Sequence, residues 1–195
     1  MKSQVLRASL LFSSLAIFSL PALATDLIVN GGFETGDFTG WTVVAGATEV
    51  QPSGGLGGYS AHSGNYYAAL GSVGSDGTLS QTFTDTAGET LTLSYWLASN
   101  GTTPNDFNTY INGTLVDSLT NIPTQPYTLY SFVFTATGDD TITFGERDDP
   151  NYLALDDVSV DTPSTTVIPE PSSLASLGTG LLGAVAAARR RLYRA

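Results

Sequence analysis

Between Thr25 and Asp161 almost no stretch repeats its apolar residues at the 3.6-residue period of a helix. What recurs is short runs rich in Val, Thr, Tyr and Phe, each closed by Gly, Asn, Asp or Pro. The runs predict ten strands, at 27–30, 42–50, 66–70, 78–85, 90–98, 107–111, 114–119, 129–137, 141–145 and 153–160. Asn112-Gly113 between two such runs is a two-residue hairpin signal, and Gly88 and Gly138-Asp139 mark further reversals. Ten short strands without helices imply an all-β, antiparallel jelly-roll β-sandwich. The body has no cysteine, so its core must hold it together without disulfides, with or without a metal.

Alternation assigns faces. Leu91, Leu93, Tyr95 and Leu97 share one side of their strand, and Thr92, Ser94 and Trp96 the other. Tyr130, Phe132 and Phe134 read as core, as does Trp41. Near the end, Ala154, Asp156, Val158 and Val160 align, which puts Asp156 on an apolar side. A carboxylate there is costly unless it is paired or bound to a metal.

Both ends of the chain differ from the body. Residues 1–24 read as a secretory signal peptide: Lys2 and Arg7, an apolar run from Ala8 to Leu20, then Pro21-Ala22-Leu23-Ala24, with Thr25 the expected mature N-terminus. After a linker at 163–168 comes a tail at 169–195. It consists of Pro169-Glu170-Pro171, an uncharged run at 172–188, and a basic end at 189–195 with Arg189, Arg190 and Arg191. A helix over that run covers about 25 Å of a bilayer core about 30 Å thick, with the arginines held on the cytoplasmic side.

The order of tripeptide, short apolar helix and arginine cluster resembles the PEP-CTERM sorting signal of Gram-negative bacteria. The resemblance implies processing by exosortase after signal peptidase. It also implies a membrane-anchored precursor, then display at the cell surface or in an extracellular polysaccharide matrix such as a biofilm.

With both ends set aside, the body keeps Arg147 as its only Lys or Arg against seventeen acidic residues, a formal charge of −16. Such a surface repels phosphate backbones and excludes nucleic acid as a partner. Excess carboxylate without Cys favours hard oxygen ligation, calcium before zinc.

The opening Asn30-Gly31-Gly32-Phe33-Glu34, followed by Gly40-Trp41, and the closing Leu155-Asp156-Asp157-Val158-Ser159-Val160 resemble carbohydrate-binding modules of the galactose-binding-like β-jelly-roll group. That resemblance implies first and last strands side by side and a structural calcium between Glu34 and Asp156, with Asp157 as alternate. The alternative is that these carboxylates cap turns or accept main-chain hydrogen bonds.

Catalysis finds little support: the body has one histidine, His62, and neither a G-x-S-x-G nor an H-E-x-x-H motif. Ligand binding is the better reading, with no catalytic residues. Trp96, on the polar face of its strand, is one candidate sugar platform, and a second-layer core tryptophan is its alternative. A second candidate patch gathers Asn105, Asp106, Arg147, Asp148 and Tyr152, where a structural ion pair explains Arg147 equally well. The expectation is a non-catalytic, exported β-sandwich that contacts glycan. A structural matrix or adhesion protein without a specific small ligand is the alternative, and a hydrolase a third. Mass spectrometry of the protein from its native host is expected to find Thr25 as the first residue and the apolar anchor of the tail no longer intact on most molecules. Intact tail on most molecules would contradict the sorting reading.

Overall fold

The computed structural model describes residues 25–46, 48–149, 151–162 and Gly180. The expected signal peptide, linker, Pro-Glu-Pro tripeptide and sorting helix fall outside the described residues. Among those described, no helix is long and apolar enough to cross a membrane.

Ten strands form two antiparallel five-stranded sheets. They are β1 (Thr42–Val44), β2 (Thr48–Pro52), β3 (Tyr66–Leu70), β4 (Gly77–Thr84), β5 (Thr90–Ser99), β6 (Asn105–Ile111), β7 (Thr114–Thr120), β8 (Gln125–Thr135), β9 (Asp139–Asp148) and β10 (Leu153–Asp161). The first sheet runs β1-β4-β9-β6-β7 and the second β2-β3-β10-β5-β8, so consecutive strands repeatedly change sheet, as a jelly roll requires. Leu79, Phe107, Ile142 and Phe144 of the first sheet face Leu91, Leu93, Tyr95, Leu97, Leu155 and Val160 of the second, all fully buried. Tyr95 sits at the centre, edge-on to Phe144 at 5.1 Å and stacked on Tyr130 at 5.4 Å, with its hydroxyl 2.7 Å from Thr109 Oγ1. Trp41 is buried as expected, its indole N–H donating to Asn30 O at 3.1 Å.

Three expectations need correction. The 27–30 run is not a strand: an Asp26–Asp161 bridge, the Leu27 amide on Val160 O and the Val160 amide on Asp26 Oδ1 join its start to β10. Beyond that it turns away, with Asn30 at φ 54° and Phe33 at φ 57°. There the backbone of Gly31 meets β10, the Val158 amide donating to Gly31 O at 3.0 Å. A Cβ on Gly31 would stand 1.8 Å from Val158 O, so only glycine allows this approach.

The 42–50 run is two strands in different sheets, broken at Ala45 (φ 60°) and Gly46 (φ 92°). The run Val43-Val44-Ala45-Gly46-Ala47 is uniformly small and apolar, with no alternation for the corner to interrupt, which conceals it. The signal lies in Gly46, whose missing side chain leaves room for Ser72, since a Cβ would be 1.8 Å from Ser72 Oγ.

The third correction concerns β10. Its register against β5 slips between Asp156 and Ser159, and Asp157 has φ 46°. This bulge turns Val158 and Val160 into the inter-sheet core, whereas Ala154 packs with Tyr67, Ala69 and Ala98 in a separate cluster. Asp156 therefore belongs to the far side of the second sheet, and it is still fully buried.

Glu146 of β9 is also fully buried, where β9 passes Gly46 and Thr48. It accepts hydrogen bonds from Thr48 Oγ1 at 2.7 Å, from the Ser72 amide at 3.1 Å and from the Ser72 hydroxyl. Burial pushes its carboxyl above the usual range, more than these donors lower it. A group raised on folding stabilises most below its unfolded value and loses that contribution as pH rises through its folded one. Urea unfolding between pH 4.5 and pH 8 is therefore expected to show Glu146→Gln gaining stability relative to the native chain as pH increases. A difference independent of pH would contradict this placement.

Candidate functional site

The outer face of the first sheet is polar across its three central strands. β4 presents Thr78, Ser80 and Thr82, β9 presents Thr141, Thr143, Gly145 and Arg147, and β6 presents Asp106, Asn108 and Tyr110, because these alternate with the inward Leu79, Phe144 and Phe107 sets. The register places Gly145 between Thr78 and Asn108, and Thr143 between Ser80 and Tyr110. With no side chain at Gly145, the sheet surface is hollow there. A cavity of about 350 Å³ is lined by Asp76, Thr78, Tyr110, Gly113, Thr143 and Gly145. A Cβ on Gly145 would touch the Tyr110 ring at 3.5 Å and Asn108 and Asp76 at 3.6 Å, all ordinary contacts. The hollow thus combines one aromatic ring with amide, hydroxyl and carboxylate groups.

Its polar groups are held in place by one another. Ser118 Oγ donates to Asn108 Oδ1 at 2.7 Å, and Asn108 Nδ2 reaches Asp106 Oδ1 at 3.3 Å and Asp76 Oδ2 at 3.4 Å. Asp106 lies opposite Arg147. Partial burial and then the nearby Asp76 raise its carboxyl, with Arg147 acting against them. Arg147 itself is forked onto Asp149, Nε to Oδ1 at 2.7 Å and Nη2 to Oδ2. That fork, helped by the Gly74 amide, holds Asp149 down at about 2. The body's one arginine is therefore a paired group on the rim of the hollow.

The residues nominated from sequence divide between several places. Asp106 and Arg147 stand beside the hollow. Asn105 and Asp148 point inward and are buried. Asn105 accepts the Ile122 amide at 2.6 Å and donates to carbonyls of Thr102 and Ile122, closing the loop before β6. Asp148 accepts from Thr102 Oγ1 at 3.2 Å, and burial raises its carboxyl. Tyr152 lies over the second sheet, its carbonyl accepting from the Tyr59 hydroxyl at 2.9 Å. Trp96 is on that same outer face, one side of its ring covered by His62, stacked at 4.0 Å and 19°. Asp76, Asn108, Tyr110 and Gly145 went unnominated. The available signal was the run of Thr and Asn alternating with large apolar residues in β4, β6 and β9, which marks a wet face without saying that it is concave.

The nominated carboxylates Glu34, Asp156 and Asp157 do converge, around Gly32. A Cβ there would be 3.3 Å from Asp157 Oδ1 and 3.9 Å from both Asp156 Oδ1 and Glu34 Cγ. All three are tied to the 62–66 segment. Asp156 accepts the His62 amide at 2.7 Å and the Ser63 amide at 3.4 Å, and the Asp157 amide at 2.7 Å. Glu34 accepts the amides of Asn65 and Tyr66, both at 2.8 Å, which hold its carboxyl below the usual range. Asp157 takes the Ser63 hydroxyl at 2.7 Å and meets His62 Nδ1 at 2.5 Å. Burial pushes Asp156 up to about 7 despite its amide donors. Hard oxygen donors without Lys or Arg among them suit calcium in kind. Their oxygens are nevertheless turned onto N–H and O–H donors, and among the described residues no three His, Cys, Asp or Glu side chains close into a metal-holding group.

Comparison with known proteins separates address from fold. Residues 167–191 match the family model of the PEP-CTERM protein-sorting motif. No curated protein matches the chain. Among solved structures, TmCBM61 in complex with beta-1,4-galactotriose superposes with a TM-score of 0.53 at 21% identity, covering 71% of this chain and 99% of that one. The K1 cleaved adhesin domain of Lys-gingipain from Porphyromonas gingivalis W83 gives 0.54 at 15% identity, covering 72% and 97%. The enzymatically active domain of bacteriophage CBA120 tailspike protein 4 gives 0.50 at 19% identity, and this chain spans only 21% of it. At such identities the likeness is one of fold. The chain carries a PEP-CTERM protein-sorting motif behind a jelly-roll β-sandwich of the architecture found in carbohydrate-binding modules.

Proposed function

We propose that this is an exported, exosortase-sorted protein that contacts glycan at the cell surface or in the extracellular polysaccharide, without catalysing a reaction. The reading divides the chain into a signal peptide at 1–24, a binding body at 25–162, a linker at 163–168 and a sorting tail at 169–195. The observation that carries the binding half is the hollow over Gly145. It supplies an aromatic ring for a sugar face and amide, hydroxyl and carboxylate partners for sugar hydroxyls, the mixture that small-ligand sites use. TmCBM61, which shares this fold, was solved with a bound galactotriose, and that supports reading the body as a sugar-contacting module. The likeness to an adhesin domain supports the second reading, adhesion or matrix structure without a specific small ligand.

A glycan array followed by calorimetry tests this. Tyr110→Ala is expected to weaken binding at least about tenfold, about 1.4 kcal/mol. Gly145→Phe, which fills the hollow from a position with room for a Cβ, is expected to abolish binding while the fold is kept. Trp96→Ala separates the two faces. If it removes binding and Tyr110→Ala does not, the ligand lies on the second sheet, and the hollow is not the site.

The same reading includes one structural calcium held by Glu34 and Asp156, with Asp157 beside them. When bound, the ion would supply positive charge to three clustered carboxylates and fasten residues 62–66 to β10. At about a hundredfold excess over its dissociation constant such an ion stabilises by about 2.7 kcal/mol. Melting temperature is therefore expected to rise by several degrees with calcium, to fall back with chelator, and to lose this response in Asp156→Asn. A melting temperature indifferent to chelator would leave the main-chain amides as the only fastening.

A further inference from the structure

A two-sheet sandwich has four edge strands, here β1 and β7 in the first sheet and β2 and β8 in the second. Exposed edges invite strand pairing, and proteins block them by shortness, charge or proline. β1 has three residues, β2 has five with Glu49 and Pro52, and β7 carries Asp117. β8 differs. It runs for eleven residues, Gln125–Thr135, without one charged side chain, and its only proline is at the second position. Among the described residues it pairs with β5 alone. Its outward side chains include Leu129, 50% exposed, and Val133, 70% exposed.

The occupant that fits this edge is the same strand of a second copy. In an antiparallel pair centred on Ser131, residue numbers across the two strands sum to 262. Leu129 then faces Val133 of the second molecule and Val133 faces Leu129, while Tyr130 meets Phe132 on the opposite side. Both exposed apolar residues are matched on one face, and aromatic residues on the other, which is the cross-strand pairing that stabilises sheets. Charge points to the same strand. Each body carries a formal −16, so two copies repel at most surfaces, whereas β8 has no charge to bring against itself. We infer that β8 is a self-association edge, through which two bodies join their second sheets into one continuous ten-stranded sheet. The hollow on the first sheet stays open in such a pair.

The chain contains no cysteine, so a single introduced one reports this contact. Ser131→Cys in the otherwise native full chain is expected to form a covalent dimer on mild oxidation at micromolar concentration. Thr82→Cys, on the outer face of the first sheet, is expected to remain monomeric. The Ser131→Cys yield should increase between about 0.05 and 0.5 M salt as screening shortens. Adding Val133→Lys, at an exposed position where the fold tolerates lysine, should reduce the yield at least about fivefold. Equal cross-linking at Thr82→Cys, no response to Val133→Lys, or a yield falling with salt would overturn the proposal.

Discussion

A body with seventeen acidic residues and one arginine nevertheless buries four carboxylates completely, Asp140, Glu146, Asp148 and Asp156. None can be matched by an ordinary ion pair, so each must be met by amides and hydroxyls, since a buried acceptor left unmet costs about 1–3 kcal/mol or more. Most of the donors lie in loops outside the strand ladders, Thr48 at the first residue of β2 being the exception. Asp140 gathers the Thr137 amide at 2.9 Å with Asn112 of the neighbouring hairpin, and Asp148 takes Thr102. Glu146 binds Thr48 and Ser72, and Asp156 the loop at His62 and Ser63. In an all-β protein without disulfides, these carboxylates are the cross-links between loop and sheet.

This fastening distributes the two faces between different tasks. The second sheet's outer face is covered by the 56–62 segment, whose Tyr59 packs on Tyr67 and bonds to Tyr152 and whose His62 packs on Trp96 and Tyr127, so its aromatic rings are largely spent on structure. Among the described residues the first sheet has no such cover over its central strands. Its hollow owes its shape to Gly145 and its rigidity to the Ser118–Asn108–Asp106 hydrogen bonds on neighbouring strands.

The strand set and the jelly-roll architecture were legible because period-2 alternation and turn residues report directly on local structure. β3 appears within its expected bounds, and most other strands differ by a few residues at their ends. Two features escaped because alternation does not register them. The corner at Ala45–Gly46 changes sheet inside a run of small apolar residues that does not alternate, and the bulge at Asp157 reverses faces within a run that reads as regular. The convergence of Glu34, Asp156 and Asp157 was legible from the resemblance of the chain's first and last motifs. Concavity was not. Asp76, Asn108, Tyr110 and Gly145 come from a loop and two strands, and only the β4-β9-β6 register assembles them.

That the first sheet's open face receives the ligand is best tested by mapping backbone amide shifts while titrating the isotope-labelled protein with neutral oligosaccharides. The expected perturbations cluster at Thr78, Asn108, Tyr110, Thr143 and Gly145, with His62 and Trp96 unmoved. Perturbations confined to residues 59–66 and Trp96, or scattered without saturation, would contradict the assignment.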